Sequence, residues 1–207
     1  MRLLERIKGL RGSRVGATIR RRLKEFRELR GSSSEELFKE LCFCILTANF
    51  HAEGGIRIQK EVGEGFLSLT EKELAGELRR LGYRFPNTRA KYIVQDRKFA
   101  GELKGRVRSF GDGKEFREWL VENVKGLGYK EASHFLRNIG YGDVAIVDFH
   151  IVDLLAAHGL IGKPKTMTKR KYLEIEKVLE GIAGKLGMGL GELDLYLWYI
   201  ETGKVLK

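Results

Sequence analysis

A lysine and an aspartate stand eighteen residues apart in the segment at 124–150, where their spacing suggests chemistry. Lys130 follows a glycine-flanked turn at residues 125–128 and is predicted to lie in the first turn of a helix. The positive end of the helix dipole favours the neutral amine, which is the nucleophilic form of lysine. Asp148 follows an apolar run and is predicted to cap the next helix. The pair therefore predicts a nucleophile and its carboxylate partner.

Each of these residues also has a simpler interpretation. Lys130 can be a surface lysine that contacts phosphate, and Asp148 can be a helix cap and nothing more. A turn that contains two glycines, here Gly126 and Gly128, is more often structural than a DNA-binding device, although it leaves amides free to bind phosphate at the next helix. The combination of this turn with a basic chain and a downstream acidic cap favours DNA.

The composition points the same way. The chain has 207 residues, with 39 Lys and Arg against 28 Asp and Glu, so its net charge of +11 suits a polyanionic partner. A solubility surplus on a thermophile-like surface is the alternative, because 32% of the residues are charged. No apolar stretch approaches the roughly 20 residues that a membrane helix needs, and the first residues are too charged for a secretory signal. We therefore expect an intracellular, soluble protein with no membrane partner.

Cys42 and Cys44 are the only cysteines in the sequence. A spacing of two places them on different faces of a helix, and no nearby histidine completes a metal-binding set. They are predicted to be buried, reduced thiols.

Helical periodicity runs through almost the whole chain, and no convincing strand appears, so the predicted fold class is all-α. A linker at 31–36 ends in a capping box, with either Ser32 and Glu35 or Ser33 and Glu36 as the pair. A nearly apolar helix at 36–48 is expected at the centre of the core. The other predicted helices lie at 1–10, 15–29, 52–62, 70–81, 86–99, 114–124, 129–139, 148–158, 168–186 and 192–201.

Two further residues have two interpretations each. Asn49 either caps the following helix or hydrogen-bonds a base edge from the cleft. Phe85, beside Arg84, either wedges into a base stack or packs in the local core.

Several motifs together resemble a known family. The residues Gly126-Leu-Gly128-Tyr-Lys130, followed by Val147-Asp148-Phe-His150, resemble the helix-hairpin-helix and Gly/Pro-Asp signature of base-excision DNA glycosylases. The segments at 41–50, 129–138 and 202–207 resemble the archaeal-type 8-oxoguanine DNA glycosylase/AP lyases more closely, and the likeness covers most of the chain. Two features depart from the pattern: the loop at 140–147 has no proline, and Phe149 stands where a polar or basic residue is common.

This resemblance implies a lesion-removing enzyme that acts on double-stranded DNA containing 8-oxoguanine. Lys130 would attack C1′ of a flipped nucleotide, release the base and form a Schiff base that undergoes β-elimination, while Asp148 would stabilise the developing positive charge. Relatives specific for other bases often carry four clustered cysteines near the C-terminus for an iron–sulfur cluster. The sequence has none there, so no iron–sulfur cluster and no required cofactor are expected.

The resemblance also implies contacts to the base and to the backbone of DNA. The terminal carboxylate of Lys207 would detect the N7–H of 8-oxoguanine, which guanine lacks; Trp198 would stack on the base, although periodicity alone places it in the core, and His134 would line the pocket. The amides of Gly126 and Gly128 and the side chain of His150 would bind phosphate. Asn49, Arg84 and Phe85 would fill the gap at the orphaned base. A structural Na⁺ or K⁺ would bind the backbone carbonyls of Glu122, Val124 and Leu127.

The predicted architecture is two helical lobes around a DNA-binding cleft. One lobe spans residues 33–140, and residues 1–30 and 141–207 fold together as the other. The protein is expected to be a monomer in the cytoplasm of a thermophilic prokaryote. The competing hypothesis is a non-catalytic helix-hairpin-helix protein that binds DNA without covalent chemistry.

Overall fold

The computed structural model describes residues 3–48 and 50–207, and the part of the chain that it describes is helical without any strand. The predicted all-α class is therefore confirmed. The α-helices within these ranges are α1 (Leu3–Arg11), α2 (Arg14–Arg30), α3 (Ser34–Leu46), α4 (Ala52–Val62), α5 (Gly65–Ser68), α6 (Glu71–Arg80), α7 (Pro86–Asp96), α8 (Leu103–Ser109), α9 (Gly113–Asn123), α10 (Tyr129–Asn138), α11 (Phe149–Ala157), α12 (Lys169–Leu186) and α13 (Leu190–Thr202).

Local capping explains where these helices begin. The Ser33 hydroxyl accepts a hydrogen bond from the Glu36 amide at 3.3 Å, which selects the second of the two predicted caps for α3. Thr70 and Glu73 form the reciprocal capping box predicted for α6. The helix predicted at 86–99 ends at Asp96 and continues as a short 3₁₀ turn. Helices α5 and α8 were not predicted, because segments of four and seven residues are too short to show periodicity.

One cluster of buried apolar residues surrounds α3 and is built from residues between Leu37 and Val144. Every residue of α3 from Leu41 to Leu46 is fully buried, which accounts for the absence of a polar face in its sequence. Cys42 and Cys44 are free thiols inside this cluster, and burial raises the pKa of both well above its ordinary value. The prediction of buried, reduced cysteines is confirmed.

A second cluster combines both ends of the chain. Helices α1 and α2 contribute Leu3, Ile7, Ile19 and Phe26, and the remainder comes from Ala145 onward, mainly from α11, α12 and α13. The chain passes from one cluster to the other between Val144 and Ala145. These two clusters support the predicted division into two lobes, which stays a prediction.

No helix in the described ranges 3–48 and 50–207 is long and apolar enough to cross a membrane.

Candidate active site

A cavity of about 720 Å³ lies where the two clusters meet, since it takes side chains from α10 on one side and from α11 and α13 on the other. Six of the predicted site residues line it: Lys130, His134, Asp148, His150, Trp198 and Lys207. The sequence prediction did not include other lining residues, among them Thr47, His51, Glu131, Arg137 and Asp194. Both the predicted nucleophile and its predicted carboxylate partner therefore line the same cavity.

Lys130 lies in the first turn of α10, as predicted. Its ammonium nitrogen is 3.5 Å from the carbonyl oxygen of Thr47 and 3.2 Å from a carboxylate oxygen of Glu131. The other Glu131 oxygen accepts a hydrogen bond from the Gly128 amide at 3.2 Å, which fixes the start of the helix. The sequence analysis did not predict Glu131 as a site residue, although a glutamate three residues after a helix cap is typical of a capping box.

Asp148 is the N-cap of α11, and its carboxylate accepts a hydrogen bond from the Ile151 amide at 2.9 Å. This part of the sequence prediction is confirmed. The preceding residues, Val144 to Val147, are buried, so the backbone that carries Asp148 is held inside the protein. A carboxylate on such a support has little freedom to move.

A buried hydrogen-bond network fixes that backbone. The Tyr172 hydroxyl donates to the Ala145 carbonyl at 2.7 Å and accepts from the Val147 amide at 3.2 Å. It also lies 3.3 Å from the carbonyl oxygen of Tyr129, the residue before Lys130. Ser133 Oγ is 3.2 Å from the same hydroxyl. One phenol thus touches the backbone beside both predicted catalytic residues.

The same network contains a fully buried ion pair. Arg117 binds both carboxylate oxygens of Glu176, at 2.6 and 2.8 Å, and also donates to Ser133 at 3.1 Å. Glu176 accepts a further hydrogen bond from the Ala145 amide at 2.8 Å. Because Arg117 belongs to α9 and Glu176 to α12, this bidentate pair joins a helix of the first cluster to a helix of the second.

The turn between α9 and α10 depends on glycine. Gly126 has a φ of +81°, and a Cβ atom there would lie 2.7 Å from the Tyr92 ring, so another residue would be strained and would clash. The Lys125 amide donates to the fully buried Asp96 at 3.1 Å. Burial raises the pKa of Asp96 to about 6, although this hydrogen bond acts in the opposite direction.

His134 lies one helical turn beyond Lys130 and faces the cavity. Its ring meets the Phe43 ring edge-on, with centroids 5.5 Å apart. Burial, reinforced by the positive charges of Arg137 and Lys130, lowers the pKa of His134 well below its ordinary value, and the backbone oxygen of Lys207 acts in the opposite direction. The ring is therefore neutral at physiological pH.

Arg137 and Asp194 form a second buried ion pair in the cavity wall, with a nitrogen–oxygen distance of 2.8 Å. Burial raises the pKa of Asp194 to about 6, Arg137 acts in the opposite direction, and the nearby Asp148 raises it further. Nothing in the local sequence predicts this pair, since its members are 57 residues apart.

Aromatic rings form one edge of the cavity. Trp198 lines it rather than the core, so the placement from periodicity alone was wrong. The His150 ring contacts Trp198 edge-on at 5.1 Å and lies against Phe149, with centroids 3.9 Å apart. Phe149 is 68% exposed at the cavity mouth. The edge therefore runs from the surface to the interior.

Four predicted contact residues lie outside the cavity lining: Gly126, Gly128, Arg84 and Phe85. Phe85 is 42% exposed, and the Arg84 guanidinium lies 5.0 Å from the centre of its ring. This exposure is inconsistent with packing of Phe85 in the local core. Asn49 lies outside the described residues.

The helical fold, the glycine turn before α10 and a cavity that holds a lysine and a capping aspartate define a helix-hairpin-helix protein with a candidate lysine-based site. Residues 19–188 match the model of a family described as 8-oxoguanine DNA glycosylase. The chain belongs to this family.

Full-length relatives agree with this assignment. The chain is 56% identical to a Korarchaeum cryptofilum protein named 8-oxoguanine DNA glycosylase/AP lyase, covering 99% of this chain and 98% of the relative. It is 55% identical to a Methanocaldococcus jannaschii protein of the same name, with complete coverage of both.

Solved structures share the fold as well. The M. jannaschii 8-oxoguanine glycosylase/lyase in complex with a 15mer DNA containing 8-oxoguanine superposes with a TM-score of 0.96, at 54% identity and 99% coverage of each chain. The 8-oxoguanine DNA glycosylase of Thermotoga maritima gives a TM-score of 0.93 at 48% identity, covering 99% of this chain and 98% of that one.

Proposed function

We propose that this protein removes 8-oxoguanine from double-stranded DNA and then cleaves the strand at the resulting abasic site. The observation that carries the proposal is the placement of Lys130 and Asp148 on the wall of one cavity, each at the start of a helix. The chain's identity to 8-oxoguanine DNA glycosylase/AP lyases over nearly its full length supports the same chemistry.

In the proposed reaction the damaged nucleotide leaves the base stack, because duplex DNA hides C1′. The neutral amine of Lys130 attacks C1′, and the electrons of the N-glycosidic bond leave with the base, which takes up a proton. The negative charge of Asp148 stabilises the positive charge that develops on the sugar. The amine loses one proton as its bond to C1′ forms; the C1′–O4′ bond then breaks, O4′ takes up a proton, and the product is a protonated Schiff base that keeps the second amine hydrogen.

The strand is then cut by β-elimination. The Schiff base withdraws electrons from C2′, which loses a proton, and the C3′–oxygen bond breaks with release of the 3′ phosphate. Hydrolysis of the remaining imine frees Lys130. The buried network around Tyr172 supports both steps because it fixes the backbone beside Lys130 and beside Asp148.

Base recognition is assigned to the other side of the cavity. A backbone oxygen of Lys207 accepts a hydrogen bond from N7–H of 8-oxoguanine, whereas the lone pair at N7 of guanine would repel it. Trp198 stacks on the base. The neutral His134 completes the pocket without adding positive charge.

DNA backbone contacts are assigned to the hairpin and to α11. The Gly126 amide binds phosphate, and the Gly128 amide does so when its hydrogen bond to the Glu131 carboxylate opens. His150 binds phosphate near the lesion. Arg84 and the exposed Phe85, together with Asn49, fill the space beside the orphaned base. The net charge of +11 supports long-range attraction to the duplex.

The backbone carbonyls of the hairpin are suitable ligands for a structural monovalent cation, Na⁺ or K⁺. The carbonyls of Glu122, Val124 and Leu127 accept no hydrogen bond within the described residues, and carbonyl oxygens are suitable ligands for such ions. When bound, the ion supplies positive charge to the turn that holds phosphate. We assign no iron–sulfur cluster or other redox centre to the proposed reaction.

The proposed substrate also indicates where the protein works. Chromosomal DNA of a prokaryote lies in the cytoplasm, and we place the protein there, acting as a monomer. The cavity supports the proposal of a monomer, because side chains of a single chain line it on both sides.

Borohydride trapping tests the proposed chemistry. Wild type is incubated with duplexes containing 8-oxoguanine or an abasic site, and reduction should yield a covalent protein–DNA adduct. Lys130→Gln should bind the duplex but form no adduct. Lys91→Gln, which changes an exposed lysine of α7, serves as the matched control and should form the adduct normally.

The same experiment separates the competing hypothesis. A non-catalytic helix-hairpin-helix protein would bind both duplexes without any adduct, in the wild type as in the variant. Loss of the adduct in Lys91→Gln as well would show that lysine substitution damages the protein in general.

A further inference from the structure

Glu40 is unusual in α3, the most apolar helix of the protein. It is 3% exposed, and its neighbours from Leu41 to Leu46 are fully buried. A buried carboxylate costs folding free energy unless a positive charge and hydrogen bonds compensate it. Glu40 therefore requires a positively charged partner within the protein.

The partner is the side chain of Lys207. The Lys207 ammonium lies 2.7 Å from one carboxylate oxygen of Glu40 and also contacts the amide oxygen of Gln59. It lies 4.3 Å above the centre of the Phe43 ring. Asn138 donates to the second Glu40 oxygen at 2.6 Å. We call Glu40, Gln59, Phe43 and Asn138 the ammonium socket.

The ammonium socket is itself fixed. The Gln59 amide nitrogen donates to Glu40 at 2.9 Å and to the Lys39 carbonyl at 3.2 Å, so its amide oxygen is turned towards Lys207. The socket residues come from α3, α4 and α10, three helices that meet in the first cluster. The charge at its centre thus has a rigid position.

Lys207 reaches this position from the other cluster. Residues after Gly203 follow α13 and have no helical hydrogen bonds of their own. Such segments are ordinarily mobile unless they are tied down. The ammonium socket ties Lys207 at one end, while its backbone oxygen faces His134 in the cavity wall.

We propose that Glu40 and Gln59 are positioning residues for base discrimination, acting through the Lys207 ammonium. By holding the ammonium they fix the Lys207 backbone group that meets N7 of a purine. The ligand class is a purine with a proton on N7, and the inference rests on the proposed function. Glu40 and Gln59 themselves touch neither the base nor the sugar.

Glu40→Gln tests this inference, because it keeps the shape of the side chain and removes its charge. Single-turnover excision is measured on duplexes with 8-oxoguanine and with guanine, and strand cleavage is measured on a preformed abasic site. The ratio of 8-oxoguanine to guanine excision should fall roughly tenfold or more, the effect of losing one charged hydrogen bond. Cleavage at the abasic site has no base to recognise and should remain unchanged.

A double-mutant cycle shows whether Glu40 acts through Lys207. Lys207→Met removes the ammonium but keeps the backbone group, and it should reduce the ratio as Glu40→Gln does. The double variant should be no worse than the stronger single variant. If Glu40→Gln fails to fold, Gln59→Met takes its place and should reduce the ratio by a smaller factor.

Glu180→Gln is the matched control, since it removes an exposed Glu–Lys pair with Lys114 and should leave every rate unchanged. An unchanged excision ratio in folded Glu40→Gln would overturn the inference. An equal fall in abasic-site cleavage would also overturn it, because it would show a general structural effect. Absence of excision and cleavage in wild type would instead refute the proposed function.

Discussion

Tyr172→Phe removes a single oxygen atom from the centre of the protein. Burial raises the pKa of Tyr172, so its hydroxyl is a neutral donor at every working pH. Without this oxygen the Ala145 carbonyl loses a donor at 2.7 Å and the Val147 amide loses an acceptor at 3.2 Å. Both groups are buried, and each unsatisfied group costs about 1–3 kcal/mol. The free energy of unfolding should fall by roughly 2–6 kcal/mol.

Urea unfolding measures this loss. The midpoint should move to lower urea while the slope stays constant, because the area exposed on unfolding barely changes. Single-turnover excision of 8-oxoguanine should slow, since the backbone on either side of the cavity loses a shared contact, whereas affinity for duplex DNA should remain that of wild type.

Two other buried tyrosines give matched controls. The Tyr141 hydroxyl donates to the Val107 carbonyl at 3.1 Å inside the first cluster, so Tyr141→Phe should lower stability without slowing excision. The Tyr196 hydroxyl has no hydrogen-bond partner among the described residues, so Tyr196→Phe should leave stability nearly unchanged. If Tyr172→Phe were as stable as Tyr196→Phe, the network would not hold the backbone as described.

Three further predictions concern other parts of the protein. The pKa of Asp96 is raised from 3.8 to about 6, so between these values the folded state holds a proton that the unfolded state has lost. The contribution of this group to stability therefore falls as pH rises from about 4 to 6. Asp96→Asn should remove up to about 3 kcal/mol of this pH dependence, measured by urea unfolding at a series of pH values. Cys42 and Cys44 should resist alkylation by iodoacetamide in the native state and react fully in denaturant; labelling at the native rate of a free thiol would contradict their burial. Phe85→Ala should weaken binding to lesion duplexes in fluorescence anisotropy while leaving the free energy of unfolding within about 0.5 kcal/mol of wild type, because the ring is half exposed.

The sequence predicted most helices and two of the residues that line the cavity, Lys130 and Asp148, because both predictions depend on local patterns. Periodicity located most helices, and the caps Ser33, Thr70 and Asp148 followed from rules that span four residues. Lys130 stood out because a glycine turn and a basic chain surround it. The caps and the glycine turn lie within one helical turn of the feature they predict, whereas the basic composition belongs to the whole chain.

The ion pairs that shape the site escaped prediction because their partners are far apart in the chain. Glu40 and Lys207 are separated by 167 residues, and Arg117 and Glu176 by 59. A glutamate inside an apolar helix shows that a charge needs a partner, but pairing depends on how the helices pack. Recognition of the base was accordingly implied by resemblance to a family, while the tie that holds Lys207 became visible only in three dimensions.

The division of the second cluster between both ends of the chain sets an order of events during synthesis. Arg11 donates to the carbonyl of Leu186 at 2.8 Å, and α1 and α2 pack against α12 and α13. Helices α1 and α2 leave the ribosome before α12 and α13, so they lack most of their packing partners until those helices emerge. The first cluster, whose residues lie within a single stretch of chain, can assemble meanwhile. The cavity closes last, so a partly made chain carries Lys130 without Asp148 opposite it.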